Sequence, residues 1–360
     1  MKGTVLVAGF ATRHVVRSAR NAGYRVYAID HFCDRDLSWY ADICRPFEEL
    51  EDLPALIASF CRDHPVDHLV LTSGAEELGD RFPLAGTPKD RVARFLDKAA
   101  IQEYFEEEQI AVPPIAAEGA FPYMIKPRRG AGGWRNQVVR SPAAQQAWEE
   151  LFPGTPYIRQ ELVAGIACSV SCVANGTAAR AVAVNEQLLR GPGEREFGFA
   201  GAITPFDHPG VPEMIRIAEH AAGASGCIGS VGVDFVLGDR IWAIEINPRF
   251  QATLDTVEMA TGMNIFDLHI NACRGVLPPC TPPARRGYAA RAIVFADRDM
   301  TVRDDLSALS PAVSDIPWPG TAIEEGGAVA SAYGWGASRE DACAMLDKTI
   351  TRVCGYMSRW

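Results

Sequence analysis

The stretch Val231–Phe250, VGVDFVLGDRIWAIEINPRF, constrains this chain more than any other. Two apolar runs flank Gly238 and Asp239, and both alternate with the period of two expected of half-buried strands. A two-residue turn at Gly238-Asp239 sets Leu237 opposite Arg240 and Asp234 opposite Ala243. Val233, Phe235 and Leu237 then share a face with Trp242, Ile244 and Ile246. The other face carries Asp234, Glu245 and Asn247 in one patch, and Arg249 follows, set by Pro248. Two carboxylates and an amide oxygen are hard ligands of the kind magnesium takes alongside phosphates. Arg249 offers a fixed cation beside them. An amphipathic hairpin with a merely solvated acidic face has the same pattern, so both readings stay open on these residues alone.

At 360 residues the chain has room for two or three domains and a sizeable core. A net charge of −10 argues against a broad nucleic-acid surface. No apolar run is long enough to span a bilayer, and MKGTVLVAGF runs straight into a strand pattern, so neither membrane nor signal peptide is expected. The ten cysteines are scattered without a C-x-x-C pair. We expect them to be reduced, in a cytoplasmic protein, with Cys168 and Cys172 as small buried thiols.

Thr4 to Asp30 reads as strand, helix, strand, with Thr12 as the helix cap and Gly23 as its stop. This opening suggests a Rossmann-like layer with Asp30 where such folds hold a ribose. Only Gly9 stands where a dinucleotide fingerprint needs three glycines, which argues against a nicotinamide site. A helix over Leu53–His64 and the strand HLVLTSG continue the layer. Arg13 and Arg17 read either as solvated helix charges or as attractors for an anionic substrate.

From Phe95 the pattern turns helical, with Lys98 early in a helix stopped by Pro113 and Pro114. Lys126 ends a short strand before a loop containing Gly130, Gly132 and Gly133, where backbone amides can approach an anion; a simple hairpin turn fits equally. Gln160 and Glu161 precede a strand break at Gly165, and Asn175-Gly176 marks a turn. Asn185–Phe206 reads as a mobile loop or a substrate-facing lid. A helix over Glu213–Ala224 precedes the acidic hairpin, and another near Asn264–Cys273 follows it. Beyond a linker at 278–283 comes the strand YAARAIVFAD. A last helix is capped by Ser338 and Asp341, with Ala342, Met345, Leu346, Ile350 and Val353 as its buried stripe.

Four signals thus stand in order: a lysine ahead of a proline-ended helix, a lysine before a glycine-rich loop, a strand with a hinge, and an acid hairpin ending E-I-N-P-R. This order resembles the ATP-grasp superfamily of carboxylate–amine ligases across almost the whole chain. The tail from DIPWPG through EGGAVASAYGWGASREDA further resembles biotin-carboxylase-related members. The resemblance implies an α/β fold of ATP-grasp architecture. Its expected parts are a Rossmann-like domain over 1–90, a helical connection over 91–120, a small lid over 121–185, a large subdomain over 186–280, and a C-terminal part over 281–360.

Carried over by position, Lys98 and Lys126 match phosphate-contacting lysines, and Gly130, Gly132 and Gly133 match the loop that closes on the phosphates. Gln160, Glu161 and the backbone of Val163 match the adenine hinge. Asp234, Glu245 and Asn247 match the metal positions, and Arg249, with Lys126, the catalytic cations. Ala167 departs from the pattern where many members place a ribose-binding glutamate. The implied cofactors are ATP and Mg2+, with Mn2+ as a substitute. The implied partners are a small-molecule carboxylate and an amine, with no nucleic acid or membrane, and the commonest assembly would be a homodimer. Activation of the acid as an acylphosphate and attack by the amine is the expected reaction. A bicarbonate-activating enzyme, a non-catalytic nucleotide-binding module and a nicotinamide oxidoreductase are the competing readings.

Overall fold

Val5 through Ala8 of β1 (Thr4–Gly9) are fully buried, as a central parallel strand requires. In the computed structural model, which describes residues 2–130, 132–133, 135–191, 196–279 and 286–360, β1 lies between two parallel neighbours. These are β2 (Arg25–Asp30) and β4 (His68–Leu71), with β3 (Ile43–Pro46) beyond β2. Alternate residues of β1 serve opposite faces. Val5 and Val7 pack towards α1 (Arg13–Asn21), while Leu6 and Ala8 pack towards α2 (Leu53–Asp63). The Rossmann-like layer is therefore present.

A short turn of helix, α3 (Lys89–Val92), leads to α4 (Lys98–Glu107). Asp97 caps α4, its Oδ1 accepting from Ala99 N–H at 2.9 Å. A small antiparallel sheet follows, in the order β6 (Gln137–Val139), β5 (Tyr123–Pro127), β7 (Tyr157–Glu161). Helix α5 (Pro142–Leu151) closes it by setting Trp148 against Tyr123, Ile125 and Val139.

The remaining strands build an eight-stranded antiparallel sheet and a separate two-stranded one. In chain order they are β8 (Ile166–Asn175), β9 (Ala179–Leu189), β10 (Phe199–Thr204), β11 (Ile228–Leu237), β12 (Ile241–Asn247) and β13 (Tyr288–Phe295). After the two-residue β14 (Met300–Thr301) come β15 (Val313–Ser314), β16 (Ala322–Ile323) and β17 (Ala328–Gly336). The sheet order is β12-β11-β8-β9-β10-β13-β17-β15, and β14 pairs separately with β16. Helices α6 (Val211–Ala224), α7 (Leu254–Thr261), α8 (Ile265–Cys273) and α9 (Arg339–Met357) cover it.

Three expectations change. The stretch 185–206 is a loop only in its middle: β9 reaches Leu189 and pairs antiparallel with β10. Residues 192–195 lie outside the described residues. A subdomain boundary at 185 would cut β9, and β13, β15 and β17 extend the same sheet rather than forming a separate part. Cys33 and Cys44 are not reduced but joined as a disulfide, because β2 and β3 lie side by side and bring the loop after β2 onto Cys44. Cys168 and Cys172 are buried thiols as expected. The expected linker 278–283 falls for the most part outside the described residues. The last helix has its capping box at Ser338 and Asp341; Ala342, Leu346, Thr349, Val353 and Met357 form its buried line, with Met345 and Ile350 only half-buried.

Arg13 and Arg17 are neither solvated nor open to a substrate. Arg13 Nη2 and Arg17 Nη2 donate to the two oxygens of Asp255 at 2.7 and 2.8 Å, and Arg13 Nε donates to Asp315 Oδ1 at 2.8 Å. Tyr333 donates its hydroxyl to Asp255 at 2.5 Å. Burial alone would raise the Asp255 pKa, but the charges of Arg13 and Arg17 outweigh it and hold the carboxyl well below its usual range. The cluster pins the first helix of the parallel layer to α7 and to β17 of the large sheet.

A second buried tie is His269 on α8. Its Nδ1 accepts from Ser230 N–H at 2.8 Å, and Nε2 pairs with Ala85 O at 3.0 Å. Burial pushes its pKa down from 6.5 to about 4. The neutral ring stabilises the fold fully above pH 6.5, and that contribution is lost as pH falls towards about 4. The urea midpoint of His269→Gln, lower at pH 7.5, should therefore fall less between pH 7 and pH 4 than that of the wild type. Equal losses would show that the ring is not held neutral.

Candidate active site

The acidic hairpin has a different turn from the one its sequence suggested, and a compensating irregularity. Leu237 pairs with Ile241, so three residues, Gly238–Arg240, make the turn. That turn alone would shift every pair by one and place Glu245 opposite Val233, on the buried face. A bulge between Asp234 and Phe235 takes up Ile244 as the extra residue and restores the alternation. Asp234 consequently lies opposite Glu245 rather than Ala243, and Gly232 opposite Asn247. Ala243 and Ile246 fill the core beside Val233 and Phe235, while Trp242 and Ile244 are only half-buried.

Both oxygens of Asp234 are engaged by amides. Asn247 Nδ2 donates to Oδ2 at 3.0 Å, and Gln187 Nε2, from β9, donates to Oδ1 at 2.9 Å. Burial, and then the negative charge of Glu245, push the Asp234 pKa up to about 7. Arg249 and the two amides only partly offset this. Arg249 is fixed by three acceptors: Glu76 Oε1 at 2.9 Å from Nε, Asn247 Oδ1 at 3.1 Å from Nη2, and Phe250 O at 3.0 Å from Nη1. Gln187 and Glu76 left no sequence signal, because each lies far from the motif and reaches it only through sheet pairing and domain packing.

Lys126, at the end of β5, faces this patch from the small sheet. Burial lowers its pKa to about 8, the charge of Glu245 works against that fall, and nearby Lys98 adds to it. Lys98 begins α4, and its Nζ donates to Gly130 O at 2.7 Å. Arg128 grips Asp97, the cap of α4, through Nε at 2.9 Å and Nη2 at 2.6 Å. The helix start and the glycine loop are therefore tied together. Gly132 and Gly133 have φ of +66° and +72°, and a Cβ at Gly133 would lie 2.0 Å from Phe197 O. Only glycine fits there. Gly130, Gly132 and Gly133 thus carry the loop across to the segment just before β10.

At the expected hinge, the β5–β7 ladder ends at Glu161 and resumes in the large sheet only at Ile166. Gln160 is buried, and its Nε2 donates to Gln102 Oε1 at 2.6 Å. Its own Oε1 is buried without a hydrogen-bond partner among the described residues. Glu161 is exposed at the strand end, where its N–H donates to Pro114 O at 2.8 Å, and Val163 lies in the connecting segment. The hinge runs against the tip of the acidic hairpin: a Cβ at Gly165 would be 2.5 Å from Leu237 O.

Asp30 has a different role from holding a ribose. Its carboxylate accepts from Thr12 N–H and Oγ1 at 2.5 and 2.8 Å, and from the N–H groups of Phe32 and Cys33 at 2.9 and 2.8 Å. It is spent on capping α1 and ordering the loop after β2.

The donor set suits a divalent cation that shares its ligands with phosphate. Two opposed, partly buried carboxylates are left short of solvation, and burial first and the Glu245 charge second hold the Asp234 pKa high. Among the described residues, no group of three or more His, Cys, Asp and Glu side chains forms a self-sufficient metal cage. Magnesium characteristically takes one or two carboxylates and leaves the rest of its shell to phosphate and water.

Residues 95–253 match the sequence profile of the ATP-grasp domain. This part of the chain is an ATP-grasp domain. Over 326 residues the chain is 22% identical to the arginine-specific large chain of carbamoyl phosphate synthase from Lactiplantibacillus plantarum. The match covers 80% of this chain but 31% of that relative, so the chain spans less than a third of its length. Among solved structures, a biotin carboxylase complex from Campylobacter jejuni superposes with a TM-score of 0.79 at 16% identity, covering 96% of this chain and 90% of that one. The L-amino acid ligase from Bacillus licheniformis gives 0.73 at 15% identity, covering 97% and 98%. At these identities the structural likeness establishes the fold of the ATP-grasp domain and its flanking parts.

The opposed carboxylates have a direct test. In Glu245→Gln the pKa of Asp234 should fall from about 7 towards the usual carboxylate range, read by carboxyl-carbon NMR titration. An unchanged value would mean that the two side chains do not face each other.

Proposed function

We propose that this protein is an ATP-dependent ligase that activates a carboxylate as an acylphosphate and joins it to an amine, releasing ADP and phosphate. The observation that carries this reading is the convergence of three separate elements. The Asp234–Glu245–Asn247 patch, Lys126 of the small sheet and the Lys98-tethered glycine loop meet at one place. A nucleotide's phosphates need that mixture of anionic metal ligands and cations, and a solvated hairpin does not. The relatedness to a carbamoyl phosphate synthase chain and the likeness to an amino acid ligase support it.

A carboxylate is a poor acyl donor until its oxygen becomes a leaving group, and transfer of the terminal phosphoryl group of ATP makes it one. In such transfers the protein's share is positioning and charge neutralisation. Asp234, Glu245 and Asn247 would hold Mg2+, or Mn2+ in its place, and the ion supplies charge neutralisation at the phosphates when bound. Asn247 keeps its Oδ1 towards Arg249, so a cation there would share that oxygen with the guanidinium. Lys126 and Lys98 neutralise the phosphates from the lid side, and Gly130, Gly132 and Gly133 let backbone N–H groups close on them. Arg249 stabilises the charge spread over the moving phosphoryl group. The unpartnered Gln160 Oε1 offers an acceptor for the exocyclic amine of adenine, with the backbone of Glu161 and Val163 beside it. Ala167 supplies no ribose contact.

The test is an ADP-release screen over paired acids and amines with magnesium, read by product mass and with bicarbonate as one of the acids. The expected result is ADP release that requires both an acid and an amine. Release driven by bicarbonate alone would move the protein to the carboxylase class, and no release with any mixture would leave a binding module. With the active pair in hand, Glu245→Gln should lower turnover by about a hundredfold or more while its melting temperature stays near that of the wild type. Near-wild-type turnover would remove Glu245 from the reaction centre.

A further inference from the structure

Two consecutive acids on the turn after β4 reach out of the parallel sheet into the ATP-grasp domain, and nothing in the motif predicts them. Glu76 pairs with Arg249 at 2.9 Å, with only 11% and 15% of the two side chains exposed. Glu77 meets Arg129, beside the glycine loop, at 3.1 Å. The two contacts differ in weight. The Glu77–Arg129 pair is exposed and worth little on its own, whereas the Glu76–Arg249 pair is shielded from water.

Main-chain hydrogen bonds hold the turn in place. Phe10 N–H donates to Ser73 O at 2.8 Å, Thr72 N–H to Ala8 O at 2.9 Å, and Ala75 N–H to Thr72 O at 3.0 Å. Ala75 is fully buried. Glu76 is therefore presented from the edge of the parallel sheet as a fixed acceptor. On the other side, its partner Arg249 donates to Asn247, which donates to Asp234, which also accepts from Gln187. A single hydrogen-bonded line thus runs from the N-terminal layer through the arginine into the acidic patch.

We propose that Glu76 is the positioning residue for Arg249, aiming its guanidinium at the transferring phosphoryl group and coupling the N-terminal layer to the reaction centre. The proposal rests on the ligase reading above and deepens it. Arginine has many rotamers of similar energy. A shielded carboxylate at Nε holds one of them, and since Phe250 O and Asn247 Oδ1 each take a single N–H of Nη1 and Nη2, the second N–H of each is left to face charge that develops later. Glu76 itself need not touch a substrate to do this.

The test does not require the natural substrates. MgADP binding is measured by calorimetry with and without aluminium fluoride, which imitates a phosphoryl group in transfer. The wild type should bind MgADP, and more tightly with aluminium fluoride. Glu76→Gln and Glu76→Ala should keep MgADP affinity within about threefold but lose about tenfold or more of the aluminium fluoride gain. Arg249→Lys should lose the same gain, with no further loss when combined with Glu76→Gln. Full gain in both Glu76 variants overturns the positioning role and leaves the ligase reading intact. A parallel fall in MgADP affinity marks a merely structural contact and also overturns it. Absence of MgADP binding by the wild type overturns the ligase reading, and the positioning role with it.

Discussion

Two carboxylates held face to face across a bulged hairpin are the constraint around which the rest of this site is arranged. Asp234 and Glu245 would each be more comfortable in water, and burial beside a like charge raises Asp234 to about 7. A protein tolerates such repulsion only where the surrounding structure over-determines it. Here Gln187 and Asn247 hold the Asp234 oxygens, Arg249 braces Asn247, and Lys126 approaches from another sheet. The braces come from β9, from the end of β12 and from the small sheet, and Glu76 of the N-terminal layer holds Arg249 in turn, so the full arrangement needs all three parts in place.

The same dependence explains why the buried ion cluster around Asp255 lies where it does. Arg13 and Arg17 sit on the first helix of the parallel layer, and their partners sit on α7 and beyond β13. Breaking a buried pair of this kind typically costs about 3–5 kcal/mol, because it strands the remaining charge. The cluster fixes the orientation of the layer, and with it the turn that carries Glu76. The contact between Glu76 and Arg249 then carries that orientation to the acidic patch.

Much of this was legible in the amino-acid order. The alternation in Val231–Leu237 and Ile241–Asn247 announces a hairpin with its acids on one face, and the structure has that hairpin. The βαβ opening and the Ser338–Asp341 capping box were readable from local pattern, since each depends on neighbours within a few residues. The register was not. A three-residue turn and a bulge cancel only beyond the bulge, so Glu245 and Asn247 keep the face that a two-residue turn would give them, while Ala243 replaces Trp242 on the core face and every pairing differs. The role of Asp30 was likewise hidden, because capping α1 and holding a ribose call for the same carboxylate at the same strand end. Arg13 looked like a helix surface charge because its partners, Asp255 and Asp315, lie hundreds of residues away in sequence.

By itself, then, the sequence determined the periodicities, the caps, the glycines that a left-handed backbone calls for, and the order of the charged motifs along the chain. These are local quantities, set by sterics and by burial on one face of a strand or helix. Tertiary structure alone decided which acid opposes which, that Cys33 meets Cys44, that Gln187 and Glu76 belong to the site, and that Arg13 of α1 is buried rather than solvated. The physical reason is that charge interactions depend on distance through space, which chain order does not encode until the sheets have paired.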